Sequence, residues 1–174
     1  FSFKKGIREY DTAPNYGYGY AENLLGNVLK NKKKVLLNTK IGNNHEKYKS
    51  FNLKKIEKSF LKSLKNLKKI NILFLHNPRD DIDYKLVIPF LIELKKSKLI
   101  KNYGLSLARD YKYDKKILNF FKTFQIDYNL FNFNINSGIK KKNIYGRSPL
   151  ASGLLSKNIY IKNLNKNDHR KIWL

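Results

Sequence analysis

The sequence predicts a parallel α/β fold, closed as a barrel rather than opened as a doubly wound sheet. Four observations predict it. Strand-like and helix-like segments alternate along the whole chain, which in parallel sheets is the signature of repeated crossover units. The strand-like runs VLLNTK and INILFLH are apolar on both faces, as strands buried between layers must be. No Gly-x-Gly-x-x-Gly opens a helix, so a doubly wound dinucleotide site is unsupported. Polar residues sit at the strand ends, where parallel barrels gather their chemistry.

In order, Ile7–Ala13 reads as the first strand and runs into a Pro- and Gly-rich loop, APNYGYG. A helix follows from about Ala21, with Leu24, Leu25, Val28 and Leu29 on one face. Val35–Lys40 is the second strand. Leu53–Leu67 is the clearest helix: Leu53, Ile56, Phe60, Leu64 and Leu67 recur at helical spacing against lysines on the other faces, and Asn52 stands as its N-cap. Ile70–His76 is a strand stopped by Asn77–Pro78. A helix over Val87–Lys98 turns Phe90, Leu91 and Leu94 inward and holds Pro89 in its first turn, where a missing N–H is tolerated. Ile100–Leu107 is strand, Lys115–Phe124 helix, Gln125–Phe131 strand and Asn143–Pro149 strand, about six strands in all. The connection before the last of them is short for a right-handed crossover, so a full helix there is shortened or absent.

Composition narrows the function. The chain has 174 residues, enough for one domain with a real core, and 41% of them are hydrophobic, too many for a disordered chain. No apolar run approaches the roughly 18 residues of a membrane span. The N-terminal FSFKKGIREYDTA lacks the apolar stretch of a signal peptide. With no cysteine, thiolate catalysis, disulfides and Cys-ligated metals are excluded, and three scattered histidines (His45, His76, His169) argue against a metal site. The cytoplasm is the expected compartment. The net charge of +24 invites a nucleic-acid reading. Its lysines, however, are spread in short runs over outer helix faces, lysine, asparagine and isoleucine are all abundant as in an AT-rich genome, and no recognition motif accompanies them. No nucleic-acid or membrane partner is expected, and oligomeric state is not legible. The chain has no methionine and begins Phe-Ser-Phe, which points to a fragment.

Four polar residues fall at or just past the first three strand ends: Asp11, Tyr16, Lys40 and His76. Singly each has a plain reading, as turn former, loop aromatic, one lysine of many and rim histidine. Together they suit carbonyl reduction. Hydride addition to a carbonyl leaves an alkoxide that needs a proton, and a phenol can give it. An isolated phenol titrates near pH 10, so the role calls for a neighbouring cation. Lys40 is that cation, Asp11 its anchor, and His76 orients the substrate oxygen.

The segment DTAPNYGYGYAENLLG (Asp11–Gly26) resembles the signature of the aldo-keto reductase family. The resemblance continues in order through NTKIG (38–42), FLHNP (74–78), KLIKNYGLS (98–106), FQIDYNLF (124–131) and RSPLASGLLS (147–156), over most of the chain. It implies a (β/α)8 TIM-type barrel, a small-molecule carbonyl substrate and NADP(H) or NAD(H) as cofactor. It implies the catalytic set Tyr16, Lys40, Asp11 and His76, with Tyr16 the acid. It also implies that Ser106 and Gln125 hold the carboxamide of the nicotinamide. Arg147 stands where an aromatic often stacks on the nicotinamide ring. Ser148, Leu150, Ser152 and Gly153 match the loop that approaches the pyrophosphate, where small residues and free N–H groups are needed. Leu107 follows Ser106 where the family commonly has Asn, so that side chain supplies no hydrogen bond.

On this resemblance the 174 residues form a single partial barrel domain, with about six parallel strands present and the first and last missing. An unclosed barrel leaves apolar strand edges open. The chain alone is therefore expected to be poorly soluble, to bind nicotinamide nucleotides weakly and to be inactive, while the complete protein is an enzyme. The rival expectations are a non-catalytic, cofactor-sensing or regulatory barrel of the same family, and a basic nucleic-acid-binding protein.

Overall fold

The computed structural model describes residues 1–43, 51–109, 111–156, 164–165 and 167–173; His45, the side chain of His169 and Leu174 lie outside them. Two compact units divide the chain, Phe1–Tyr111 and Lys112–Leu174.

The first unit alternates strand and helix: β1 Glu9–Asp11, α1 Tyr20–Leu29, β2 Leu36–Ile41, α2 Leu53–Leu67, β3 Ile70–His76, α3 Tyr84–Lys96 and β4 Ile100–Ser106. The strands pair in chain order, every pair parallel. Register decides which face each side chain takes. Asp11 lies opposite Asn38, Lys40 opposite Phe74 and His76 opposite Ser106. Since side chains alternate along a strand, Asp11, Lys40, His76 and Ser106 share one face. Leu37, Thr39, Ile41, Leu73 and Leu75 share the other.

That second face belongs to the helices. Ile56, Phe60 and Leu67 of α2 and Val87 and Leu91 of α3 are fully or almost fully buried, as are Leu37 of β2 and Leu73 and Leu75 of β3. The caps hold as physics requires: Asn52 Oδ1 accepts from the amide of Lys54 at 3.1 Å, and Asp83 Oδ1 from that of Lys85 at 2.9 Å. Gly26 marks where α1 meets α2. A Cβ there would stand 1.9 Å from the carbonyl oxygen of Asn66, a backbone atom that cannot swing aside.

The second unit holds α4 Lys115–Phe120, β5 Thr123–Asp127 and β6 Asn143–Arg147, with β5 and β6 parallel. Among the described residues no helix joins β5 to β6, in accord with the short connection. Leu118, Phe121, Phe124, Ile126 and Ile139 are buried. A smaller cluster of Ala151, Leu154 and Trp173, with Leu155 and Leu164 against it, backs the turn after β6.

Several boundaries differ from the sequence reading. Helix α3 starts at Tyr84, capped by Asp83, so Pro89 is its sixth residue and lies beyond the first turn. Its missing N–H leaves the carbonyl of Lys85 without a helical partner, on an exposed stretch where water can take its place. Helix α4 ends at Phe120 instead of Phe124, because Phe121 turns extended and the chain pairs with β6 from Thr123. The strand that follows ends at Asp127, where Asn129 Oδ1 accepts from the amides of Phe131 and Asn132 and turns the chain. On α1, Leu29 is buried, but Leu24 and Val28 are exposed, so the apolar quartet straddles two faces.

Replacing Gly26 by Ala is expected to cost about 1–3 kcal/mol, the usual range for overpacking. A lower denaturant midpoint at unchanged slope would register it.

Candidate active site

Lys40 is the structural centre of the site. It is 0% exposed, yet it carries a charge, and a buried charge must be paired and hydrogen-bonded. Its Nζ donates to Asp11 Oδ2 at 2.5 Å and to the carbonyl of Thr12 at 2.8 Å. Both acceptors come from the end of β1, brought beside Lys40 by parallel pairing with β2. The Asp11 side chain is 37% exposed, so one end of the ion pair opens to solvent while the other is enclosed.

The ammonium also stands 5.0 Å from the centre of the Tyr16 ring, within cation–π range. Tyr16 reaches it because the chain turns sharply after β1. Its amide donates to the carbonyl of Ala13, and Gly17, Tyr18 and Gly19 take left-handed backbone conformations at φ 57°, 57° and 88°. Glycine takes such angles freely; Tyr18 takes one at a cost. Tyr16 is 42% exposed, accessible to a ligand. The buried ring of His76, at the end of β3, meets the Tyr16 ring edge-on, with centres 6.4 Å apart at 87°. The structure therefore brings Asp11, Tyr16, Lys40 and His76 to one place. Tyr18 and Tyr20, beside them in sequence, are largely exposed.

Behind the site stands a residue to which sequence reasoning assigned no role. Glu22 of α1 is 1% exposed, accepts from Thr39 Oγ at 2.6 Å and from Asn66 Nδ2 at 3.4 Å. Thr39 is the neighbour of Lys40 on β2 and points to the opposite face. Glu22 thus ties the helix that follows the Tyr16 turn to the strand that carries Lys40. The signal was present: Glu22 occupies the apolar face of α1, three and seven residues before Leu25 and Leu29.

At the rim of the same unit, Tyr111 Oη donates to Asp80 Oδ1 at 2.5 Å, and that bond raises the phenol above its ordinary pKa of 10.0.

The remaining candidates divide between the two units. Ser106, fully buried at the end of β4, is the register partner of His76; half-buried Leu107 follows it. In the second unit Gln125 is buried on β5 opposite Tyr145. Arg147 ends β6 and is bound to Asp127, Nε to Oδ1 at 2.9 Å and Nη2 to Oδ2 at 3.5 Å. Ser148 hydroxyl donates to Asp127 Oδ1 at 2.9 Å. The turn beyond is left-handed at Ser148, Ala151, Ser152 and Gly153, with φ of 55°, 46°, 56° and 94°. Its own hydrogen bonds use the amides of Ala151, Gly153, Leu154 and Leu155; among the described residues those of Leu150 and Ser152 take no part. Ser152 Oγ accepts from the indole N–H of Trp173 at 3.1 Å. Asp127 was the residue missed here, a charge inside a strand pattern and therefore a poor fit to a solvated surface.

Comparison with known proteins decides the family. The sequence model described as "Aldo/keto reductase family" matches residues 2–172. The chain belongs to the aldo/keto reductase family. Its fold is accordingly an incomplete (β/α)8 barrel, with six parallel strands among the described residues. Among solved structures it resembles the glycerol dehydrogenase AKR11B4 from Gluconobacter oxydans, at TM-score 0.80 and 24% identity over 97% of this chain and 57% of that one. The holo form of aldo-keto reductase AKR11C1 from Bacillus halodurans matches at TM-score 0.76 and 24% identity, over 95% and 60%. An aldo-keto reductase from Klebsiella pneumoniae in complex with NADPH matches at 0.70 and 20%, over 88% and 57%. Among curated proteins, pyridoxal 4-dehydrogenase from Microbacterium luteolum is 50% identical over 38 residues, 21% of this chain and 11% of that protein. This aldo/keto reductase chain spans somewhat over half the length of the solved relatives it matches. Among the described residues no helix is long and apolar enough to cross a membrane.

Replacing Thr39 by Val keeps the shape and removes the donor to the buried Glu22 carboxylate. An unsatisfied buried acceptor costs about 1–3 kcal/mol, so chemical denaturation should register a loss of that order.

Proposed function

We propose that the protein carrying this chain reduces an aldehyde or ketone to an alcohol with NADP(H), or NAD(H), as the electron source. The observation that carries the reading is the buried ammonium of Lys40, anchored by Asp11 and set against the Tyr16 ring with His76 beside it. Each residue has one task. Tyr16 hands its hydroxyl proton to the substrate oxygen. Lys40 stabilises the phenolate that remains. Asp11 and the Thr12 carbonyl hold the ammonium in place. His76 orients the carbonyl oxygen and stabilises the charge that develops on it. The exposed side of Tyr16 admits a small-molecule substrate.

The nucleotide, when bound, supplies a hydride to the carbonyl carbon. The residues present fit such a group. Within the first unit, Ser106 is a buried polar side chain of the kind that holds a carboxamide; within the second, so is Gln125, and Arg147 offers a planar guanidinium of the kind that stacks on a ring. The turn of Ser148, Leu150, Ser152 and Gly153 supports phosphate binding, because its left-handed backbone and the amides of Leu150 and Ser152 are suited to an anion. The six strands are read as part of one barrel domain whose complete form is the enzyme. The cysteine-free composition fits a reducing compartment, which supports a cytoplasmic site of action.

The test uses the product of the whole reading frame. Tyr16→Phe removes only the hydroxyl, and reduction of a panel of aldehydes and ketones should fall by about 10²–10⁴-fold, the usual contribution of a positioned acid. Nucleotide binding, followed by fluorescence, should stay close to wild type. Undiminished turnover would refute the reading; nucleotide binding without turnover in the wild type would favour a cofactor-sensing barrel.

A further inference from the structure

The pairing at the ends of β5 and β6 does more than close a sheet. Asp127 is the direct register partner of Arg147. Its carboxylate takes two N–H groups of the guanidinium and the hydroxyl of Ser148, and its side chain is only 7% exposed. The backbone around it is fixed as well. Asn132 Nδ2 donates to the Asp127 carbonyl at 3.3 Å, and Asn129 Nδ2 donates to the Ser148 carbonyl at 3.1 Å. Arg147 and Ser148 are thus held from β5 at the point where the chain enters its left-handed turn.

We infer that Asp127 is a positioning residue that makes Arg147 an electrically balanced platform for the nicotinamide ring, so that the site accepts the oxidised as well as the reduced nucleotide. The inference rests on the cofactor assignment made above for Arg147. The nicotinamide ring is cationic when oxidised and neutral when reduced. An unpaired guanidinium against it repels the oxidised ring alone. Bound edge-on to a carboxylate, the guanidinium keeps its planar shape for stacking while its charge is cancelled a bond length away. An aromatic side chain at this position would be neutral by itself; arginine needs the partner, and Asp127 is that partner.

The experiment measures binding of NADP⁺ and NADPH, and of NAD⁺ and NADH, to the product of the whole reading frame by calorimetry. In Asp127→Asn the ratio of the oxidised to the reduced Kd should rise about tenfold. In Arg147→Gln, which leaves the carboxylate without its cation, the ratio should fall below that of wild type. A purely structural role would weaken both forms equally, and unchanged ratios in both variants overturn the inference alone. Should Asp127→Asn fail to fold, Arg147→Gln carries the test, and a ratio that holds or rises overturns the inference. A wild type that binds neither form of either nucleotide overturns the cofactor assignment and the inference with it.

Discussion

A lysine with no exposure to solvent has to be held by something, and nearly everything about this site follows from how Lys40 is held. Its ammonium is satisfied by a carboxylate and a backbone carbonyl that both come from the end of β1. Those acceptors are in reach only because β1 and β2 are parallel and in a register that sets Asp11 opposite Asn38. A shift of one residue would carry Lys40 to the helix-covered face. There Leu37, Ile41, Leu73 and Leu75 are buried, and neither Asp11 nor the Thr12 carbonyl would be in reach of the ammonium. The requirement that the ammonium be satisfied and the requirement that the leucines be buried specify the same register.

The two faces of β2 divide the labour. On one, Lys40 meets Asp11, Tyr16 and, beyond them, His76. On the other, Thr39 meets Glu22, and Gly26 lets α1 approach the backbone of α2. The turn that presents Tyr16 is suspended between β1 and α1, so both of its ends are anchored to β2, one through Lys40 and one through Thr39. Its left-handed residues are affordable because those anchors determine where it must begin and end. A second device of the same kind appears in the other unit, where Asp127 and Asn129 hold the strained turn after β6 from the neighbouring strand.

Much of this could be read from the sequence. The alternation of strand and helix, the boundaries of Leu53–Leu67 and Ile70–His76, and the Asn52 cap follow from periodicity and capping chemistry that act over a few residues. The four residues that meet around Lys40 stand out in the sequence as polar groups at or just past the ends of apolar strands. What escaped was set by contacts across the fold. Nothing local ends α4 at Phe120; the pairing of Thr123 with Asn143 does. Proline's avoidance of helix interiors points to a first turn for Pro89, but Asp83 caps the helix earlier and an exposed proline is tolerated there. Glu22 and Asp127 were passed over because each partner, Thr39 and Arg147, is distant in sequence and adjacent only through the sheet or the helix laid upon it.

The claim at the centre is that a phenol, held beside a buried ammonium at the mouth of a parallel barrel, donates the proton that completes carbonyl reduction. A crystal structure of the product of the whole reading frame, with nicotinamide nucleotide bound, tests it most directly. The account predicts the Tyr16 hydroxyl within hydrogen-bonding reach of Lys40 Nζ and facing the same cavity as His76. Electron density with that hydroxyl turned to solvent, away from both, would contradict it.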